Sequence, residues 1–388
     1  MFNLLKYSLR NAVSRKLTFT LTVLGIGLVV FVFSAVLMLS HGLEKAMVET
    51  GNPDNVVVLR NSASTEVVSI ISRSSADIIK ADPAIATDES GAPLFAGELV
   101  VLINQPRRSD GEPSNVAVRG VGKESLAIRP QVKLVEGRMW RPGTSEIIAG
   151  VKVAKNFSGC GLGETVRFGM RNWTIVGLFE AGGSGFESEL WGDVDQLMDA
   201  FQRPVFSSLV FRLKDPADFQ AVESRLESDR RLTVDVMPEI EYYHRQSSTF
   251  TLFIGTLGTV ISIIFSLGAI VGAMITMYAA VANRTREIGT LRALGFSRPS
   301  IWMAFLVEAV AIAFVGGALG VLVANLLSLK EVSTTNFDTF AEVAFSFAMS
   351  PRIAVSAMIF AIIMGLVGGF LPAVRASRLK ILDALRAK

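Results

Sequence analysis

The sequence predicts an α-helical membrane protein with four transmembrane helices and one large extracytoplasmic domain of α+β structure. Half of the 388 residues are hydrophobic, and the mean hydropathy is +0.45, which is too apolar for an ordinary soluble domain. Four segments are long and apolar enough to cross a hydrocarbon core, which takes about 20 residues. Between the first two lie roughly 200 residues of mixed composition, enough to bury a core of their own.

The predicted segments follow one another along the chain. The first five are a cytoplasmic amphipathic helix (1–16), the first span (17–41), the extracytoplasmic domain (42–249), a long second span with a stalk (250–282) and a cytoplasmic helix (283–300). The last four are the third span (301–328), a short extracytoplasmic loop (329–350), the fourth span (351–372) and a cytoplasmic tail (373–388). The first span is too long for a signal peptide, and no small-residue cleavage site follows it.

The orientation of the spans follows from Lys and Arg, which concentrate in cytoplasmic segments. The segments 1–16, 283–300 and 373–388 carry thirteen of these residues against two acidic ones. The loop 329–350 carries Lys330 alone against three acidic residues. Both termini are therefore predicted to be cytoplasmic. The basic balance reflects this topology and attraction to anionic lipid, so nucleic acid is excluded as a partner.

The extracytoplasmic domain is predicted to contain a ferredoxin-like sheet. Periodicity indicates, in chain order, a strand (56–59), a helix (66–80), a strand (208–213), a helix (215–230) and a strand (232–237). Two strand–helix–strand units at opposite ends of the domain can pair into one such sheet. The segment of about residues 94–206 is then an inserted, β-rich subdomain, with a hairpin turn at Arg171-Asn172.

A phosphate-binding loop is excluded. Gly120-Val121-Gly122-Lys123 resembles the end of such a motif. However, Ala117 stands where the motif needs its first glycine, and Glu124 replaces the hydroxyl residue. An acidic side chain at that position would repel phosphate, so the sequence predicts no nucleotide site here.

Metal binding and thiol chemistry are not predicted either. His41 and His244, the two histidines, lie just outside spans, where an amphipathic ring suits the membrane interface. Without nearby ligands at suitable spacing they do not predict a metal site. Cys160 is the single cysteine, so no disulfide within the chain is possible. Its glycine neighbours favour a small loop or core residue over a nucleophile.

The most informative stretch is RTREIGTLRALGFSRPSI, which begins at Arg284 and lies between the second and third spans. Ile288, Leu291 and Leu294 recur at a spacing that places them on one helix face. Gly295 stands where a helix C-cap is expected. The stretch therefore predicts a short amphipathic helix at the cytoplasmic membrane surface.

Polar and small residues mark the spans themselves. Glu308 is an acidic residue well inside the third span, where carboxylates are costly and often functional. Because it lies near the cytoplasmic end, an ion pair with Arg292 or Arg298 is favoured over a transport role. The third and fourth spans are also rich in glycine, which predicts close helix–helix contacts.

Three stretches resemble the permease signature of the MacB/FtsX/Lol type, or type VII, of ABC transporter. They are RTREIGTLRALGFSRPSI, the following FLVEAVAIAFVGGALG and the tail LPAVRASRLKILDALR. The outer domain is similar to the MacB-type periplasmic domain through EGRMW and GLGETVRFGMRNWTIVGLFE. The resemblance implies a porter-like domain, with one subdomain inserted into another, on a multi-pass protein of the bacterial inner membrane.

In this family the loop between the second and third spans is a coupling helix that docks into a groove of a cytoplasmic ATPase. The residues that the resemblance assigns to it are Arg284, Arg286, Glu287, Ile288, Gly289, Leu291, Arg292, Leu294 and Gly295. The apolar face is expected to pack in the groove, with charged residues pairing at its rim. ATP-driven closure of the ATPase then moves the helix, and the second span carries the motion outward, which is called mechanotransmission.

The resemblance also implies partners. MacB carries a fused ATPase domain that this sequence lacks, so ATP and Mg are expected on a separate ATPase chain, with no catalytic site or directly bound cofactor here. A second permease copy (identical or related), membrane lipid, a periplasmic adaptor and an outer-membrane channel are the other expected partners. The expected function is export or extraction of an amphiphile, peptide or lipid. Lol-like lipoprotein extraction and FtsX-like activation of a cell-wall hydrolase stay as alternatives. An ATP-independent transporter is disfavoured because no charged pathway crosses the spans.

Overall fold

A computed structural model describes residues 16–336 and 338–381, and within them the chain forms two compact units. The helical unit comprises residues up to His41, Leu252–Lys330 and the residues from Phe347 onward. The α/β unit comprises Gly42–Thr251 and Glu331–Ser346. The predicted amphipathic helix 1–16 lies outside the described residues, except for Lys16, as do the last seven residues of the predicted tail.

The α-helices in the described part of the chain are α1 (Lys16–Val48), α2 (Arg73–Lys80), α3 (Lys123–Ile128), α4 (Val151–Asn156), α5 (Val194–Ala200), α6 (Phe219–Ser228), α7 (Glu239–Asn283), α8 (Thr285–Ala293), α9 (Arg298–Asn325) and α10 (Pro351–Ser377). Four of them, α1, α7, α9 and α10, are long and apolar enough to cross a membrane. Large apolar side chains on α7 are exposed, Leu252 to 72% and Ile275 to 64%, as expected of a lipid-facing surface.

The strands are β1 (Asn55–Arg60), β2 (Phe95–Pro106), β3 (Pro113–Val121), β4 (Lys133–Gly137), β5 (Glu146–Gly150), β6 (Thr165–Phe168), β7 (Arg171–Glu180), β8 (Glu189–Asp193), β9 (Ser208–Arg212), β10 (Val234–Pro238), β11 (Glu331–Thr335) and β12 (Glu342–Ser346). One sheet has the order β10-β1-β9-β2-β3-β8-β5-β7-β4, with β6 added beside β7, and β11 pairs with β12.

The predicted ferredoxin-like half is confirmed. Its two strand–helix–strand units are β1-α2-β2 and β9-α6-β10, and their strands interleave in the order β10-β1-β9-β2 with antiparallel neighbours. Apolar side chains of this half form one core, which includes Val58, Ile79 and Phe211. The strands β3–β8 form the inserted half, whose separate core contains Trp173 and Leu190.

The two halves share one strand. The first four residues of β2 pair with β9, ending at Glu98 opposite Ser208. From Leu99, opposite Gly120, the strand pairs with β3 instead. One continuous strand thus runs from one half into the other and changes its partner between Glu98 and Leu99.

Two sequence predictions in this unit are wrong in detail. The helix expected at 66–80 begins only at Arg73, because the side chain of Ser72 caps it by accepting a hydrogen bond from the Ser75 amide at 3.1 Å. The hairpin turn expected at Arg171-Asn172 lies at Gly169-Met170, which both have positive φ. Arg171 already pairs with Phe168 in the ladder, so the tight turn falls two residues earlier.

The loop predicted at 329–350 contains a β-hairpin, β11–β12, that packs within the α/β unit. Arg107 Nε lies 2.7 Å from Glu342 Oε2, and the amide of Ala344 donates to Ser188 Oγ at 3.0 Å. Lys155 forms a further ion pair with Glu331. The α/β unit is therefore built from two separate pieces of the chain.

In the helical unit, glycines bring helix backbones close together, as predicted. A Cβ atom added at Gly320 of α9 would lie 2.5 Å from the carbonyl oxygen of Gly27 in α1. A Cβ atom added at Gly369 of α10 would lie 2.3 Å from Cβ of Ala309 in α9. Gly25 differs, because a Cβ atom there would have nothing within 4 Å.

The second span is longer than predicted. Helix α7 has 45 residues and begins at Glu239, well before residue 250. At 1.5 Å per residue it is about 68 Å long, against a hydrocarbon core of about 30 Å. Its first turns therefore belong to the α/β unit, as the division at Thr251 shows.

Candidate functional site

The stretch between α7 and α9 forms the helix α8, and its C-terminus ends where the sequence predicts. Gly295 adopts φ +93°, which L side chains rarely do. The Phe296 amide donates to the Leu291 carbonyl at 3.1 Å, and the Gly295 amide donates to the Arg292 carbonyl at 3.2 Å. These two bonds make a Schellman motif, which stops α8 sharply before Ser297 caps α9.

The apolar face predicted for α8 is divided between two environments. Ile288 is 1% exposed and packs with Met277 of α7 and with Ile301 and Phe305 of α9. Leu294, at the other end, is 73% exposed. Ile288 is therefore part of the core of the helical unit and is not available to a partner. The expectation of one continuous apolar docking face on α8 is wrong in this respect.

The assigned residues of α8 separate by exposure. Those that are exposed are Arg286, Glu287, Leu294 and Gly295, together with Thr290 and Ala293, which the resemblance does not assign to the coupling helix. Those that are buried are Arg284, Ile288 and Gly289, while Leu291 and Arg292 are partly buried. The exposed surface of α8 is thus small, mixed in charge, and flanked by one large apolar side chain.

Arg284 links three helices of the helical unit. Its Nη1 atom lies 2.9 Å from Oε2 of Glu308 in α9, and its Nε atom lies 3.3 Å from Oε2 of Glu287 in α8. The guanidinium also lies 5.3 Å from the ring centroid of Phe305. Arg284 itself stands at the junction of α7 and α8, so one buried side chain ties the end of α7 to the other two helices.

This ion pair identifies a partner of Glu308. A structural pair with a basic residue of the adjoining stretch was expected, and the partner is Arg284 instead of Arg292 or Arg298. Arg292 is turned the other way, with Nη1 donating to the Phe296 carbonyl at 3.3 Å. Within the described residues its Nε atom is buried without a hydrogen-bond partner. Arg298 is exposed at the first turn of α9.

The remaining candidate residues stay apart from α8. Cys160 is fully buried in the core of the inserted half, and burial raises the pKa of its thiol to about 12. Within residues 16–336 and 338–381, no group of three or more His, Cys, Asp and Glu side chains is arranged to hold a metal ion.

Two families of known proteins match this chain in sequence. Residues 19–229 match the family described as MacB-like periplasmic core domain, and residues 250–381 match the FtsX-like permease C-terminal family. Among solved structures, the extracellular domain of the ABC-type transporter YknZ from Gram-positive bacteria aligns with a TM-score of 0.36 and 13% identity, covering 47% of this chain and 99% of that one.

Individual relatives agree with these families. The macrolide export ATP-binding/permease protein MacB of Escherichia coli is 27% identical over 69% of this chain and 43% of its own length. MacB of Neisseria meningitidis is 25% identical over 98% of this chain and 60% of its own length. The uncharacterized ABC transporter permease YvrN of Bacillus subtilis is 32% identical over 42% of this chain and 37% of its own length.

This chain thus spans about half the length of the curated relatives it matches. The first family alone covers more than half of the chain, and the second covers most of the rest. The chain belongs to the MacB-like, FtsX-like (type VII) family of ABC transporter permeases.

Proposed function

We propose that this permease couples ATP hydrolysis by a separate cytoplasmic ATPase chain to movement of its α/β unit, and so drives export or extraction of an amphiphile, peptide or lipid. The ATPase would dock on α8. In this proposal the chain itself carries out no catalysis and binds no nucleotide.

The observation that carries the proposal is the way in which α8 is held. One side is fixed to α7 and α9 by Ile288 and by the Arg284–Glu308 ion pair, and the other side exposes Arg286 and Leu294. A helix that is packed against two spans on one side and exposed on the other can transmit a displacement imposed by a partner to those spans. Because α7 continues without interruption to Glu239, such a displacement would reach the α/β unit.

The proposed orientation places α8 and both termini in the cytoplasm and the α/β unit outside the inner membrane. The clustering of Lys and Arg in the three cytoplasmic segments supports it. A dimer of permease chains, and efflux through an adaptor and an outer-membrane channel, belong to the same proposal. The likeness to the MacB proteins named as macrolide exporters supports export as the direction of transport.

The test compares two exposed leucines, one just before and one just after α9. Leu294→Asp changes the proposed docking surface, whereas Leu329→Asp is the matched control, since Leu329 is 82% exposed at the far end. The permease would be tagged, its ATPase partner identified by co-purification from the native host, and the affinity of the pair measured in detergent. We expect Leu294→Asp to weaken binding about tenfold or more, as loss of an apolar interface anchor does, and Leu329→Asp to have no effect.

Equal affinities for the two variants would contradict docking at α8, and the absence of any co-purifying ATPase would contradict the proposed function as a whole. Glu287→Arg is a less clean probe, because Glu287 also pairs with the buried Arg284. Co-purification of a cell-wall hydrolase with the ATPase would favour the FtsX-like signalling function.

A further inference from the structure

The α/β unit contains a buried network of six charged side chains that the proposed function does not use. Its members are the carboxylates of Glu66, Glu98, Glu189 and Glu239 and the guanidinium groups of Arg119 and Arg129. Arg119, Arg129, Glu98 and Glu239 are each at most 1% exposed. Charged groups are almost never buried to this degree unless they are paired.

Arg119, on β3, contacts both halves of the sheet. Its Nη1 and Nη2 atoms donate to Glu66, from the ferredoxin-like half, at 2.8 and 2.9 Å. Its Nε and Nη2 atoms donate to Glu189, on β8 of the inserted half, at 2.7 and 2.9 Å. Its Nη1 atom also donates to Glu98 at 2.9 Å, which places the guanidinium at the junction of the two halves.

Arg129 connects the same junction to the start of α7. It pairs with Glu98 on one side, and its Nη2 atom donates to Oε1 of Glu239 at 3.0 Å on the other. Glu239 is the first residue of α7. The other oxygen of Glu239 accepts from Asn55 Nδ2 at 2.8 Å and from the Asn52 amide at 3.0 Å, so its position is fixed by several donors.

Glu98 occupies a special place in the sheet. It is the last residue of β2 that pairs with β9, and the next residue, Leu99, pairs with β3. Burial by itself raises the pKa of Glu98, but the guanidinium groups of Arg129 and Arg119 outweigh this and hold the pKa below its ordinary value. The carboxylate is thus charged where the strand passes from one half to the other.

An aromatic side chain covers the two guanidinium groups. Phe186 lies 5.2 Å from Cζ of Arg119 and 4.9 Å from Cζ of Arg129, measured from its ring centroid. The same ring packs edge-on against Trp191 of β8 and Tyr243 of α7. A well-packed apolar cluster would hold these elements equally well, because replacing a buried ion pair by apolar side chains of similar volume often costs no stability. What the network adds is a fixed geometry between particular residues.

We propose that Glu239, Arg129 and Glu98 are positioning residues that transmit a displacement of the first turn of α7 to the angle between the two halves of the sheet. The ferredoxin-like half is joined to α7 through the chain itself, since β10 ends at Pro238. The inserted half contacts α7 through Arg129 and through the packing of Phe186 against Tyr243. The network therefore sets the orientation of the inserted half against α7. The inference rests on the proposed function only in taking α7 as the helix that moves.

The test measures the distance between the two halves in the full-length protein in detergent, without any ATPase. Spin labels are attached at Met170→Cys, on the exposed β6–β7 turn, and at Ser224→Cys, on the exposed side of α6. The native Cys160 is replaced by Ala in every labelled protein, because loss of the network would expose its buried thiol to the label. Wild-type protein is expected to give one narrow distance distribution by pulsed electron paramagnetic resonance.

Glu239→Gln keeps the shape of the side chain and removes the charge that faces Arg129. We expect it to broaden the distribution about twofold or more, as two halves that lose a fixed geometry would. The matched control is Glu187→Gln, since Glu187 is also buried but pairs with Lys152 inside the inserted half at 3.1 Å. Fluorescence of the buried Trp173 and Trp191 checks that each variant is folded.

A narrow distribution in folded Glu239→Gln would overturn the inference, and so would equal broadening in Glu187→Gln, which would indicate general loosening. If Glu239→Gln does not fold, Arg129→Lys replaces it. Lysine keeps the charge but cannot contact Glu98 and Glu239 through one planar fork, so the same broadening is expected. Because no ATPase is present, failure of the proposed function would leave this result unchanged.

Discussion

The helical unit and the α/β unit hold their elements together by opposite means. In the helical unit, α9 meets α1 and α10 through glycines, so closely that an added methyl group at Gly320 or Gly369 would collide with the neighbour. In the α/β unit, large side chains such as Trp173, Trp191 and Phe211 fill the cores. Lipid tails are as apolar as leucine, so burying large side chains brings no gain between spans, and close backbone contact takes over. In water the same burial is the main driving force.

The two units also differ in buried charge. Among the described residues of the helical unit, Arg284 pairs with Glu308 at the end of a span. The α/β unit holds the six-membered network around Arg119 and Arg129. The difference suggests that the helical unit depends on shape, and the α/β unit on charge geometry as well as apolar packing.

The largest effect is expected from Arg129→Met. Removing one partner from a buried ion network leaves Glu98 and Glu239 without compensation, which costs about 3–5 kcal/mol of unfolding free energy. The measurement is thermal unfolding of the purified protein, followed by the fluorescence of the buried tryptophans. Arg138→Met is the control, because the ion pair of Arg138 with Glu146 lies at the surface and contributes little. Similar unfolding temperatures for the two variants would contradict the role given to the network.

A smaller effect is expected from Gly320→Ala in the helical unit. The added methyl group meets the Gly27 carbonyl, and such overpacking costs about 1–3 kcal/mol. Gly25→Ala is the matched control in a neighbouring span. A Cβ atom there meets nothing, and alanine favours a helix over glycine by about 1 kcal/mol, so that variant should be as stable as wild type or more so. The thermal unfolding of both is compared in one detergent, and equal destabilisation would show that glycine contacts do not hold α9.

The smallest effect is expected in the wild-type protein, where the alkylation rate of Cys160 reports on the α/β unit alone. With a thiol pKa of about 12, alkylation by N-ethylmaleimide at pH 8 should be slower than at an exposed cysteine by roughly a thousandfold. Because the pKa is raised, the rate should increase about tenfold from pH 8 to pH 9, whereas an exposed cysteine with a pKa of about 8.5 gains only about threefold. Mass spectrometry follows the reaction.

The same reaction sharpens the comparison of the two units. In Arg129→Met the α/β unit opens more often, so Cys160 should react faster at the same pH. In Gly320→Ala the damage is confined to the helical unit, and the rate should stay at the wild-type value. Faster alkylation in both variants would show that the two units unfold together.

Much of this fold could be predicted because its signals are local. Apolar runs of more than 20 residues mark α1, α7, α9 and α10, and the alternation of strand and helix patterns is sufficient for the ferredoxin-like half. The C-cap at Gly295 was predictable for the same reason, since it depends on one residue and its neighbours.

The parts that sequence reasoning missed depend on contacts between distant segments. Four arginines lie in the stretch before Glu308, and the choice of Arg284 depends on where α7 ends. Glu66 fits a helical pattern in the sequence, yet in the structure it lies before α2 begins and pairs with Arg119. Ile288 is buried because residues of α7, α9 and α10 pack around it. No spacing rule contains that information.

The hairpin β11–β12 has a consequence for how the protein is made. About 80 residues separate Thr251, where the first piece of the α/β unit ends, from Glu331, where the second begins. At 5–20 residues per second, ribosomes need roughly 4–16 s to cross that interval. During this interval Arg107 and Ser188 lack their partners Glu342 and Ala344, and two spans have yet to be synthesised or inserted. The nascent α/β unit is therefore incomplete for several seconds, and that interval is when a chaperone or a protease would encounter it.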